Sequence, residues 1–110
     1  MTGYRDIDAA ELSRLQAENG IILVDVRRDD EVARGVIAGA LHIPLHLIPV
    51  KLEQLGGDAP LVFYCHSGMR SAQAAAFMVS HGRKNIYNLQ GGILAWGKAG
   101  YSFVAKQQES

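Results

Sequence analysis

Two short runs in this chain are apolar at every position: Ile21-Ile22-Leu23-Val24, which ends at Asp25, and Leu61-Val62-Phe63-Tyr64, which ends at Cys65. A strand with one wet face alternates between apolar and polar residues. Runs without alternation suit strands covered on both faces, which points to helices on each side of the sheet. Helical patterns do lie between the runs, so strands and helices alternate along the chain. The fold class this implies is α/β with a mostly parallel sheet.

The local signals place the elements. Tyr4 to Ile7 suits a short edge strand. Asp8 is the expected N-cap of a helix with Glu11 in the capping-box position, continued by Leu12, Leu15 and Gln16 and stopped at Asn19-Gly20. Asp29 to Arg34 reads as a short helix ended by Gly35, and Ala40 to Ile43 as a short strand ended by Pro44. Pro49 to Leu55 suits a helix with proline in its first turn and Gly56-Gly57 behind it. Ser71 is the expected N-cap of a helix reaching Ser80. Ile86 to Asn88 is a third central strand, and Gly91-Gly92 turns into a last short helix carrying Leu94 and Trp96.

Length and charge narrow the function classes. The 110 residues suit one domain, expected to fold over about 4–104 with a frayed tail at 105–110. Eleven basic and eleven acidic residues leave no net charge, which speaks against a broad nucleic-acid surface while allowing a small anion site. One cysteine permits no intrachain disulfide. The N-terminus lacks the pattern of a secretory signal. The most apolar stretch, Val36 to Val50, is interrupted by Pro44 and Pro49 and falls short of a membrane span. A cytoplasmic protein is the expectation.

The chemistry concentrates in Cys65-His66-Ser67-Gly68-Met69-Arg70-Ser71. Ligands in an open parallel sheet gather beyond the carboxyl ends of the strands, so Cys65 and Asp25 belong to one functional edge. A loop feeding a helix N-terminus can aim its amides at a small anion, and the helix end adds partial positive charge. Gly68 permits the tight turn, and Arg70 supplies a permanent charge with a planar fork of donors. These features favour the thiolate of Cys65, the nucleophilic form, over an inert buried thiol.

The run resembles the active loop of single-domain rhodaneses, the sulfurtransferases, in which Cys and Gly are followed by Arg and then Ser or Thr. Cys65, Gly68, Arg70 and Ser71 match that pattern. Asp25-Val26-Arg27 with Glu31, the stretch Gly35 to Pro44, and Leu89-Gln90-Gly91-Gly92 with Trp96 and Gly100 are similar to further family signatures. The resemblance implies a rhodanese-like, five-stranded, mostly parallel sheet flanked by helices. It implies that Cys65 takes sulfane sulfur from a donor such as thiosulfate as a persulfide. Cyanide, a thiol or a thiol-bearing protein would then remove it. It implies no metal and no organic cofactor. Substrate contacts would come from His66, Ser67, Gly68, Met69, Arg70 and Ser71, with Asp25 and Arg27 in support.

Three positions depart from the family pattern. Val36 replaces a usual His, Tyr101 follows Gly100 where proline is common nearby, and His66 stands where a permanently charged residue is common. His66 keeps open a persulfide carrier that serves a partner protein and uses little thiosulfate. A phosphatase also surrounds an anion with Cys and Arg, but the related phosphatase loop has one residue more than the four between Cys65 and Arg70. Non-catalytic regulatory versions of the family usually lack the cysteine. Asp25 and Arg27 can orient Arg70 or the loop, or form a structural ion pair; Glu31 is expected to cap or pair locally. His42 and His46 are separated by Pro44 and make no zinc cluster. His81 suits a helix end, Trp96 a core anchor, and Met69 an exposed loop rim for an acceptor.

Overall fold

The computed structural model describes residues 3–18 and 20–106. Its elements are β1 (Arg5–Ile7), α1 (Ala9–Glu18), β2 (Ile22–Asp25), α2 (Asp29–Val32), β3 (Leu41–His42), a 3-10 helix (Leu45–Lys51), β4 (Leu61–Tyr64), α3 (Met69–Ser80), β5 (Ile86–Leu89) and α4 (Gly92–Lys98). The five strands form one sheet in the order β1-β5-β4-β2-β3, and every pairing is parallel. The two all-apolar runs are adjacent near the middle, with Val24 opposite Phe63 and Asp25 opposite Tyr64. All four residues of β4 are buried, as the lack of alternation requires.

Side chains alternate across a strand, so β4 feeds two cores. Leu61, Phe63 and Cys65 join one with Ala74, Ala75 and Met78 of α3 and Ile48 of the 3-10 helix. Val62 and Tyr64 join the other with Ile7, Leu12 of α1, and Ile93 and Trp96 of α4. The parity of β4 thereby delivers Cys65 to the α3 side of the sheet. Asp25 lies level with Tyr64, one step out of phase with Cys65.

The helix boundaries differ from expectation where loops carry the site. α3 begins at Met69, with Gly68 at its N-cap in the left-handed conformation (φ 105°). Ser71, the expected cap, is the third helical residue instead. Only a residue without Cβ accepts that φ easily, and a Cβ there would also lie 3.3 Å from the amide nitrogen of Gly91. The expected helix over 49–55 is a 3-10 helix over Leu45–Lys51 that continues only as turns to buried Leu55. Pro49 has no N–H, so an unbroken α-helical ladder cannot pass through it. α2 stops at Val32, two residues early, because Arg34 and Gly35 tighten onto the carbonyls of Glu31 and Val32 at 3.1 Å each.

At the C-terminal end, Val104 returns antiparallel to Val36, with both hydrogen bonds at 2.8 Å. Trp96 is buried, stacks on Tyr101 at 4.4 Å and donates its indole N–H to the Ser102 carbonyl. Tyr101 thus gives the terminal turn an aromatic partner. Trp96 is the core anchor expected of this helix; Leu94 beside it is half exposed, and Ile93 takes the other buried position. Asn19 of the expected helix stop and residues 107–110 of the expected tail lie outside the described residues. No described helix is long and apolar enough to cross a membrane.

Candidate active site

Cys65 directly follows β4, beneath the start of α3, and is 1% exposed. The Gly68 amide donates to its Sγ at 3.1 Å, and the Ser71 Oγ lies 3.4 Å away. Burial pushes the thiol pKa up. The Ser71 hydroxyl and the backbone N–H groups of Ser71, Gly68 and Ser67 outweigh burial, and the net displacement is downward. The loop is wrapped around the sulfur as the motif predicts.

A second layer holds that loop from behind. The amides of Ile93 and Leu94, in the first turn of α4, donate to the carbonyls of Cys65 (2.9 Å) and His66 (3.2 Å). With these carbonyls held by α4, the following amides are free to turn towards the sulfur. Such close backbone approach explains the Gly91-Gly92 pair. A Cβ on Gly92, whose φ is 60°, would fall 2.4 Å from the His66 carbonyl oxygen. The motif contains these glycines, but only the fold shows that they press against the cysteine loop.

Arg70 is not free. Its two terminal nitrogens donate to the two carboxylate oxygens of Glu31 at 2.6 and 2.8 Å. The Arg70 hydrogen bonds hold the Glu31 carboxyl down at about 2 against the upward push of burial, with the Arg28 backbone N–H adding to the effect. Glu31 thus caps α2, accepting from Arg28 at 3.1 Å, and also grips the arginine 39 residues away. Local capping was the expectation; the long-range grip is the addition. Glu31 takes one N–H from each terminal nitrogen, and the guanidinium keeps further donors.

Asp25 and Arg27 pair with each other. Arg27 donates through Nε and Nη2 to the Asp25 carboxylate at 2.7–3.1 Å, and also to the Gly35 carbonyl at 2.7 Å. Their side chains are 0% and 5% exposed, respectively. The guanidinium lies over the Tyr64 ring, on the α1–α4 side of the sheet. Of the two alternatives, the structural ion pair is the one formed, because strand parity puts Asp25 opposite in phase to Cys65. The pair anchors the loop into α2, which carries Glu31, so it reaches Arg70 at one remove.

The remaining predicted residues line the mouth. His66 and Ser67 are exposed, and Met69 is 76% exposed in the first turn of α3. Arg70 borders a cleft of about 590 Å³ with Val26, Pro44, Leu45 and His46. His66 borders another of about 530 Å³ with Leu94, Lys98 and Phe103. Residues 28 and 30 wall both clefts, and the cysteine loop reaches one through Arg70 and the other through His66.

One contact has no counterpart in the motif pattern. The Ser71 hydroxyl meets the side-chain oxygen of Asn88 at 2.5 Å. Asn88 lies in β5, is 4% exposed and donates through Nδ2 to Asp6 at 3.0 Å and to the Gly68 carbonyl at 3.4 Å. A polar amide inside an otherwise apolar strand was its sequence signal.

The comparisons agree with this architecture. The model of the family described as "Rhodanese-like domain" matches residues 8–99. A protein named sulfurtransferase from Allochromatium vinosum is 42% identical over 103 residues, covering 93% of this chain and 96% of the relative. The thiosulfate sulfurtransferase GlpE of Pseudomonas entomophila is 33% identical over 96 residues, covering 87% of each. Among solved structures, a rhodanese-related protein from Thermoplasma volcanium superimposes with a TM-score of 0.82 at 34% identity, over 94% of this chain and all of that one. The chain belongs to the rhodanese-like family. Its activity class is that of the rhodanese-type sulfurtransferases.

Proposed function

We propose that Cys65 carries sulfane sulfur as a persulfide between a thiosulfate-type donor and a thiophilic acceptor. The observation that supports this most directly is the Gly68 amide at 3.1 Å from a sulfur whose loop carbonyls are held outward by α4. A thiolate attacks the outer sulfur of thiosulfate and forms a new S–S bond. The original S–S bond breaks, and sulfite leaves with its electron pair. The total charge is unchanged, and the negative charge stays on the terminal sulfur of Cys65, within reach of loop amides. Cyanide or a thiolate then attacks that sulfur and returns the Cys65 thiolate. Gly68, Ser67 and Ser71 serve the sulfur anion, and Arg70 and His66 receive the donor at the mouth. Met69 gives the acceptor an apolar rim. GlpE, named as a thiosulfate sulfurtransferase, supports the choice of donor.

A second reading is favoured by the Arg70–Glu31 pair. A guanidinium already bound to a carboxylate attracts a small dianion less strongly, and His66 is not a permanently charged residue. This suits a carrier that receives or delivers sulfur through a thiol-bearing protein docked beside Met69. A free, pKa-lowered thiol also fits a reducing compartment, and we place the protein in the cytoplasm.

Intact mass after incubation with thiosulfate, and separately with a small-molecule persulfide, tests both. One added sulfur on the native chain and none on Cys65→Ser is expected. Sulfur from the persulfide alone selects the carrier. No adduct from either donor, on a thiol that still alkylates, overturns the persulfide mechanism.

A further inference from the structure

Ser71 Oγ has two neighbours that compete for one proton: Asn88 Oδ1 at 2.5 Å and Cys65 Sγ at 3.4 Å. A hydroxyl carries a single hydrogen and two lone pairs. The amide orientation of Asn88 decides where that hydrogen rests. Its other end faces the Asp6 carboxylate and the Gly68 carbonyl, which can only accept. The NH2 group must therefore lie on that side, and Oδ1 must face Ser71. An amide oxygen cannot donate, so Ser71 donates to it. In that state the serine presents a lone pair towards the sulfur. This suits a thiol, whose S–H can donate to Oγ, and opposes a thiolate or persulfide anion.

We propose that Asn88 is a positioning residue for the sulfur chemistry, holding the Ser71 hydroxyl proton while Cys65 is a thiol and releasing it to the sulfur when Cys65 becomes an anion. The thiol proton leaves to water. The Ser71 O–H bond stays intact and only rotates, exchanging Asn88 Oδ1 for sulfur as its acceptor. Asn88 is 4% exposed and Ser71 0%, so no bulk water replaces the partner that Oδ1 loses. The anion must outcompete Asn88, which makes Asn88 a brake on premature ionisation. After the acceptor has removed sulfur and the thiolate is protonated again, the hydroxyl returns to Asn88. This deepens the persulfide reading and rests on Cys65 being the reacting sulfur.

The single cysteine allows a direct test, because alkylation by iodoacetamide against pH reads Cys65 alone and requires no sulfur donor. The other groups around it are Arg70 with its partner Glu31, His66 in the loop, Asp6 beyond Asn88, and Asp25 with Arg27 across the sheet. Asn88→Leu keeps the side-chain shape and removes the acceptor; Asn88→Ala removes both. Each is expected to lower the midpoint of alkylation by about half a pH unit, about threefold in thiolate fraction at limiting pH. In a Ser71→Ala background the same substitutions are expected to shift nothing. A shift of equal size in both backgrounds, a shift upward, or none with Ser71 present overturns the proposal. Where neither variant folds, the native chain with 13C-labelled asparagine answers instead. The Asn88 Cγ resonance should move with the thiol titration and hold still in Cys65→Ser; a resonance blind to the thiol overturns the proposal. A chain that alkylates as expected but accepts no sulfur rejects the persulfide reading while leaving the serine–asparagine switch intact.

Discussion

Glu31 illustrates how one side chain can carry a local and a long-range demand. Its carboxylate caps a short helix and fixes Arg70, with its carboxyl held at about 2. A carboxyl whose folded pKa is depressed contributes stability above its unfolded value, and the contribution is lost as pH falls through the folded value. Glu31→Gln should therefore lower unfolding stability at neutral pH. The difference from the native chain should narrow as pH falls from about 4.5 towards about 2, read by urea unfolding at several pH values. A pH-independent difference would separate Glu31 charge from its effect. Cys65 is displaced downward by hydrogen bonds from the loop despite its burial, so its alkylation should rise at lower pH than that of free cysteine. An alkylation midpoint at or above that of free cysteine would remove the amides from this role.

The elements that matter most are the two that meet at the cysteine loop. α4 contributes no reacting side chain, yet its first amides hold the carbonyls of Cys65 and His66. Gly92→Ala should therefore be costly at two levels. The left-handed backbone and the clash with the His66 carbonyl together should destabilise the chain by about 3 kcal/mol. Sulfur transfer should fall further than folding does, because the displaced loop no longer surrounds the sulfur. Gly82→Ala, at a positive φ with open space around it, is the control: a loss of stability without a loss of transfer per folded molecule. The motif Gly91-Gly92 is visible in the sequence, as is the end of β4 at Tyr64, just before Cys65. The start of α3 is not, because Ser71 is a good N-cap by composition and yet is drawn into the helix by the left-handed Gly68. Pro49 likewise reads as a first-turn proline, but Pro44 starts the winding earlier and as a 3-10 helix.

At the scale of the molecule, the sheet divides its functional edge into two faces. One face holds α3 and the Cys65 sulfur, and the other holds the Asp25–Arg27 pair, with the guanidinium over the Tyr64 ring. Arg27→Met leaves Asp25 buried without its partner, and should cost about 3 kcal/mol by thermal or urea unfolding, far more than an exposed pair would. Where the variant remains folded, loss of sulfur transfer should follow from a loosened α2 and Arg70, and not from a changed thiol titration. Unchanged unfolding would mean that the pair does not anchor the loop.

Cys65, its strand and the parallel sheet are written locally: a run of apolar residues has one way to be buried, and the residue that follows it falls at the sheet edge. That Asp25 and Cys65 face opposite sides is not written there: each follows four apolar residues, and only the register that sets Asp25 opposite Tyr64 puts them out of phase. The partners of Arg70 and Ser71 are not local. Glu31 lies 39 residues from Arg70, and Asn88 lies 17 from Ser71 and 82 from Asp6. Each has an adequate explanation within its own element, as a helix cap or a strand residue. Only the order β1-β5-β4-β2-β3 brings β1 and β5 beside the cysteine on one side and α2 on the other. Hydrogen bonds of a few ångströms between residues so far apart depend on that packing, and no local pattern in the chain encodes it.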